Sequence, residues 1–149
     1  MDQILSNLRR DYPQLEFKPG NAACWMPENS TVFYGLPFTE KETWSLCHEI
    51  GHALSGHQSF NSDIDLLLKE LEAWEEAKKI ALNYDFVIND AHIEACLDSY
   101  RNWIHKRSAC PKCLLKGIQQ DTTRYICISC QSEWAVSNNQ TSRPYRLQK

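Results

Sequence analysis

The sequence has no apolar run longer than a few residues, no internal repeat and no long low-complexity tract. A membrane-spanning helix needs about 20 consecutive apolar residues, so none is expected, and no segment reads as a secretory signal. Once two Cys-x-x-Cys pairs are set aside, only Cys24, Cys47 and Cys96 remain, an odd number that a disulfide framework does not use. These absences lead to the expectation of a reducing cytoplasm, with the three lone cysteines serving as small buried hydrophobes. What is there suffices for a globular chain. Its 149 residues, 42% hydrophobic and 11% aromatic, allow one compact domain with an appendage.

The appendage is marked by Cys110-Pro111-Lys112-Cys113 and Cys127-Ile128-Ser129-Cys130, two knuckles with thirteen residues between them. This is the spacing of a four-thiolate structural zinc site, each pair gripping the ion from a tight turn. A lone redox pair would not be duplicated, and disulfides would need an oxidising compartment. Residues 122–126 read as a strand, and Glu133-Trp134-Ala135-Val136 can pair back on it, which gives a small zinc ribbon over residues 108–137. A piece of this size has little core, so the ion would supply most of its folding free energy. The polar residues 138–149 are expected to be a disordered tail.

Upstream, residues 48–52 read His48-Glu49-Ile50-Gly51-His52. Two histidines four apart stand one above the other on a helix, so their rings can converge on one metal, and Glu49 can reach a water on it as general base. Thr39 and Glu42 form a capping box that starts the helix, and Gly56 supplies the stop. Leu46, Ile50, Ala53 and Leu54 form its apolar stripe, with Trp44, His48, Gly51, His52 and Ser55 on another face.

A catalytic zinc takes three protein ligands and keeps the fourth position for water. The third is sought on a helix over residues 64–83, whose stripe is Ile64, Leu67, Leu68, Leu71 and Trp74, capped by Ser62 or Asp63. Glu72 is the favoured candidate within its acidic run. Glu76, one turn on, would accept the free ring N–H of a zinc-bound histidine. The bland alternative for this run is a solvated helix face. His57 competes as ligand, but a third-histidine motif would need Gly at position 55 and His at 58, where the chain has Ser55 and Gln58. A loop histidine near the cleft is its expected role. Tyr34, Tyr84, His57 and His92 are candidates for steadying an oxyanion, and nothing singles one out.

The run from His48 to His57, followed by Leu71-Glu72-Ala73-Trp74, resembles the ImmA/IrrE family of zinc metallo-endopeptidases, in the gluzincin group, over about residues 12–100. SprT-like proteases also join such a motif to a cysteine-rich C-terminal segment. The resemblance implies an α+β fold, with a zincin-like domain over residues 1–107 whose short antiparallel sheet packs on helices. It implies zinc on His48, His52 and Glu72, with Glu49 as base. It also implies regulated cleavage of a protein target, a transcriptional repressor or other DNA-associated protein. The alternative from another class is a non-proteolytic regulatory or nucleic-acid-binding protein that keeps this domain as a scaffold.

The remaining segments fit that frame. Ile4, Leu5 and Leu8 suggest a short helix ending near Tyr12-Pro13, and residues 15–17 and 30–34 read as strands across a turn-rich stretch. Residues 31–34 are the candidate sheet edge for a substrate strand, with a core strand the alternative. Asn89 can cap a third helix packed through Ile93, Leu97, Tyr100 and Ile104. The net charge of −3 hides a division. Residues 1–100 hold seven lysines and arginines against seventeen acids, a net −10, whereas residues 101–149 hold nine against two, a net +7. Arg101, Lys106, Arg107, Lys112, Lys116 and Arg124 are therefore expected to meet nucleic acid or an acidic protein surface.

Overall fold

The computed structural model describes residues 2–137 and 147–148, the last two and residue 2 by their backbone alone. The chain is α+β and forms two compact units, one of residues 1–58 and 69–93, the other of residues 59–68 and 94–149. Among the described residues no helix is long and apolar enough to cross a membrane.

In the first unit, helix α1 (Asp2–Asp11) stops just before Tyr12-Pro13, as expected where proline disfavours a helical residue ahead of it. Strands β1 (Glu16–Gly20), β2 (Cys24–Met26) and β3 (Thr31–Gly35) form a sheet in the order β1-β3-β2. β1 runs parallel to β3, so the sheet is mixed, where an antiparallel one was expected. β3 is its centre and not its edge, because Cys24–Met26, read from sequence as part of a turn-rich stretch, pairs with its free side. Val32 and Tyr34 are accordingly buried.

Helix α2 (Glu40–Leu54) begins where Thr39 Oγ1 accepts a hydrogen bond from the Glu42 N–H at 3.2 Å. It ends at Gly56, whose φ of 68° suits the left-handed residue after a helix. Its buried face differs from the expected stripe. Trp44, Cys47, His48 and Gly51 are buried with Leu46 and Ile50, while Leu54 is exposed. Helix α3 (Asp63–Asn83) differs in the same way. Ile64 and Leu68 are 62% and 56% exposed, and the buried residues are Asp63, Glu70, Ala73, Trp74, Ala77, Ile80 and Ala81. Of the three lone cysteines only Cys47 is buried, which pushes its thiol up to about 12 and makes it inert; Cys24 is exposed and Cys96 partly so.

The second unit gathers the start of α3, most of helix α4 (Asp90–Arg107), and a sheet of β4 (Gly117–Gln119), β5 (Arg124–Cys127), β6 (Glu133–Ala135) and β7 (Leu147–Gln148) in sequential order. The expected tail thus contributes a strand at residues 147–148, while residues 138–146 and 149 lie outside the described residues. Trp134 is fully buried, stacks on Tyr125 at 5.5 Å and donates its indole N–H to the Arg107 carbonyl at 2.9 Å. Gly117 is required beneath it, since a Cβ there would come within 2.2 Å of the indole.

Arg107 is itself wholly buried. Its guanidinium lies 4.0 Å over the Trp103 ring, donates to the Thr122 carbonyl at 2.8 Å and pairs with Asp63 at 3.3 Å. Asp63 also accepts from the Tyr125 hydroxyl and from the Gln119 amide. Removing one partner of a buried ion pair leaves the other charge uncompensated. Asp63→Ala is therefore expected to lower stability by about 3–5 kcal/mol, read from urea unfolding. A loss below about 1 kcal/mol, the scale of an exposed pair, would show that Asp63 does not hold this unit together.

Candidate metal centres

Everything at the first centre follows from how closely α2 and α3 approach. A Cβ on Gly51 would lie 2.3 Å from the Ala73 carbonyl oxygen, so only glycine lets the two backbones touch here. Ala73 is fully buried at that contact. Glu70 lies three residues before Ala73, on the same face of α3. It is 4% exposed and reaches both histidines. Its Oε2 lies 3.0 Å from His48 Nε2 and its Oε1 3.2 Å from His52 Nε2.

The two rings are set by α2, their centroids 4.6 Å apart, and Trp74 stacks on His48 at 4.2 Å. His48 Nε2 and Glu70 Oε2 are buried and make no hydrogen bond, although only 3.0 Å separates them. A short but misaligned contact is how groups sit when they share an ion and not a proton. With two imidazoles and a carboxylate, the donor set suits a divalent transition metal. Electrostatics agree. Burial alone would lower the His48 pKa, but Glu49 and Glu70 outweigh it and raise it to about 9. Burial would raise that of Glu70, yet the His48 and His52 rings beside it bring it down to about 2. The carboxylate is thus held as the anion that a cation needs, and a proton competes with the metal for the same place.

Glu49 presents a carboxylate oxygen within 4.8 Å of ring nitrogens of both histidines. Its Oε2 accepts the backbone N–H of Trp25 at 2.8 Å, and its Oε1 lies 3.3 Å from His48 Nδ1. The same Trp25 donates its indole N–H to the His57 carbonyl at 2.8 Å.

Of the residues expected from sequence, His48, Glu49 and His52 come together, and Glu72 and Glu76 do not join them. Glu72 is 60% exposed at its side chain and meets His57 Nε2 at 2.8 Å. Glu76 pairs with Lys79 at 2.5 Å, so it accepts no ring N–H from the pair. His57, buried at 8%, takes that position, its Nδ1 2.9 Å from His52 Nδ1. Among the oxyanion candidates, Tyr84 donates its hydroxyl to Asp11 at 2.7 Å, and Tyr34 packs on Phe38 at 5.3 Å. His92 lies against Trp44 and Trp74, at 5.0 and 5.8 Å, and burial lowers its pKa.

The second centre lies in the other unit. The sulfurs of Cys110, Cys113, Cys127 and Cys130 all lie within 4.8 Å of one another. The Cys113–Cys127 and Cys110–Cys130 pairs are 3.4 and 3.6 Å apart. All four are free thiols. A tetrahedron with metal–sulfur distances of about 2.3 Å has edges of about 3.8 Å, which these separations approach. Each knuckle closes alike. The Leu114 and Gln131 N–H groups donate to the Cys110 and Cys127 carbonyls, and both residues take positive φ, 66° and 61°. The Ser132 hydroxyl and N–H draw Cys130 down to about 6, and the Cys130 and Ser129 N–H groups lower Cys127. The Leu115 N–H would lower Cys113, but its contacts with the other thiols, Cys127 foremost, together with burial outweigh that and raise it to about 12. Four packed thiols ionise together only around a cation.

The basic set divides. Arg107, expected to contact phosphates, cannot do so because its guanidinium is wholly buried. Arg101 is held by Glu94 and Asp98 at 2.9 Å each, Arg124 by Asp121 at 2.5 Å, and Lys116 donates to the His105 carbonyl at 2.6 Å. Lys106 and Lys112 are exposed.

The purified chain is expected to carry two metal ions. Metal analysis of Cys110→Ser should find one, and so should that of His48→Ala with His52→Ala, because the two ligand sets share no residue. One ion in the unaltered chain would contradict the two-centre description.

Comparison with protein-family models, with curated proteins and with solved structures found no match, so the chemistry of both centres is read from their own side chains.

Proposed function

We propose that the chain is a zinc-dependent metallo-endopeptidase in which His48, His52 and Glu70 hold the catalytic ion and Glu49 is the general base. The four cysteines hold a second, structural zinc. The observation that carries this reading is the meeting of one buried carboxylate with the Nε2 atoms of both motif histidines, at 3.0 and 3.2 Å. The ImmA/IrrE-like motif supports it, with the third ligand moved from Glu72 to Glu70, and the mixed sheet beside the motif helix is read as zincin-like on the same ground.

The ion, when bound, supplies a Lewis acid that polarises the scissile carbonyl and acidifies a water. Glu49 takes the water's proton on its carboxylate and delivers it to the leaving amine nitrogen, which a neutral amide at this position could not do. The Trp25 N–H, fixed on Glu49 Oε2, orients that carboxylate. Trp25 lies on β2, at the edge of the sheet, so a substrate strand laid along β2 would come to rest beside Glu49. A protein target is proposed, a transcriptional repressor or other DNA-associated protein, on the strength of the sequence resemblance.

Glu49→Gln is expected to keep both ions and lose about 10²–10⁴-fold in hydrolysis of a fluorogenic peptide library. Glu70→Gln is expected to lower occupancy of the histidine centre. Hydrolysis by Glu49→Gln at the rate of the unaltered chain would dismiss the peptidase reading, and full occupancy in Glu70→Gln would dismiss its ligand assignment.

A further inference from the structure

The hydrogen-bonded chain continues beyond the two motif histidines. His52 Nδ1 lies 2.9 Å from His57 Nδ1, and His57 Nε2 lies 2.8 Å from Glu72 Oε2. A carboxylate offers only lone pairs, so the contact with Glu72 places a proton on His57 Nε2. A neutral His57 then presents a lone pair at Nδ1, and His52 must donate to it from its own Nδ1–H. That leaves the His52 lone pair on Nε2, facing Glu70 Oε1 at 3.2 Å, two acceptors that only a cation between them would join. For a neutral His57 the reverse order fails. If His57 donated from Nδ1, its Nε2 lone pair would face the Glu72 carboxylate at 2.8 Å, acceptor against acceptor.

Resting on the reading of His48, His52 and Glu70 as metal donors, we propose that His57 and Glu72 are positioning residues. They fix the tautomer and ring plane of His52, so that its Nε2 is held ready for the ion. The geometry around His57 is built for this. Its backbone N–H donates to the His52 carbonyl at 3.0 Å and its backbone carbonyl accepts the Trp25 indole N–H at 2.8 Å, which fixes the main chain from which the ring projects, while the ring is held at Nδ1 by His52 and at Nε2 by Glu72. The far end of the relay is a surface group, since the Glu72 side chain is 60% exposed while that of His57 is 9% exposed. A carboxylate outside the centre thereby sets the proton position on a ligand inside it.

The relay can be tested on the full chain by titrating zinc against a competing chelator, with the four-cysteine centre as internal reference. Glu72→Lys sets a donor against the His57 Nε2–H and favours the wrong tautomer, and its exposed position leaves folding intact. This variant and His57→Ala are each expected to weaken zinc at the histidine centre about 10–100-fold, with the cysteine centre unchanged. Glu72→Gln, whose carbonyl still accepts from Nε2–H, should lose far less than Glu72→Lys. His57→Asn should recover part of the loss in His57→Ala, because its Oδ1 can accept from His52 in place of the ring Nδ1. Nitrogen–proton spectra of the chain carrying zinc only at its cysteines should find His52 as the Nδ1–H tautomer, and a mixture in Glu72→Lys. Unaltered zinc affinity in Glu72→Lys, or His52 found as the Nε2–H tautomer, would overturn the relay. Should the unaltered chain bind zinc at its cysteines alone, the metal reading of the histidine centre would fail and the proposal with it. The tautomer spectra would still report the hydrogen-bond order itself.

Discussion

The first unit depends on the absence of one carbon atom. With any side chain at Gly51, the Ala73 carbonyl would be displaced and α2 and α3 would separate. The separation would draw Glu70 away from His48 and His52, and Trp74 away from the His48 ring that it stacks on. A buried carboxylate is tolerable only where partners compensate its lost hydration. The helix contact and the polar cluster are therefore one structure. Close packing brings the charge to its partners, and the partners make the burial of that charge affordable.

The same contact explains why sequence reading favoured Glu72 when it is Glu70 that lies against His48 and His52. Ile64, Leu67, Leu68 and Leu71 recur at helical spacing, and large aliphatic residues ordinarily mark the buried face. Here that row leaves Ile64, Leu68 and Leu71 exposed, and the buried row is Ala73, Ala77 and Ala81 with Trp74 and Ile80. Small residues four apart allow backbones to touch, and a glycine inside the motif helix calls for such a row opposite it. Read that way, Glu70 falls on the inner face one turn before Ala73, whereas Glu72, beside Ala73, turns about 100° away. The signal was present, but residue size carried it and hydrophobicity did not.

Elsewhere legibility followed the range of the interaction. The cysteine knuckles and the Thr39 cap were readable because a few neighbouring residues specify each of them, and the structure closes both knuckles with residues of positive φ. The central position of β3 was not readable, since it depends on Cys24–Met26, three residues with little strand pattern of their own. The charge division misled at Arg107. Composition counts every arginine as available to a partner, yet this one is spent on Asp63, the Thr122 carbonyl and the Trp103 ring. Net charge describes the field around a chain, and burial decides which charges contribute to it.

The two centres also differ in what they leave open. Around an ion, four thiolates would complete a tetrahedron and leave no position for water or substrate, so an ion at the cysteine centre would serve to hold β5 and the two knuckles together. On the proposed reading, two imidazoles and one carboxylate would leave a position free beside Glu49, which lies within 4.8 Å of both rings and is anchored by the Trp25 N–H. A centre of this kind gains from fixing each donor in advance, since freedom left in a ligand ring must be lost whenever the ion binds. Trp25 meets that need twice through one residue, its backbone N–H on Glu49 and its indole N–H on the His57 carbonyl. On the proposed reading, the short strand that would receive the substrate also holds the base and the relay to His52. Geometry at the sheet edge and at the metal donors is thereby set together.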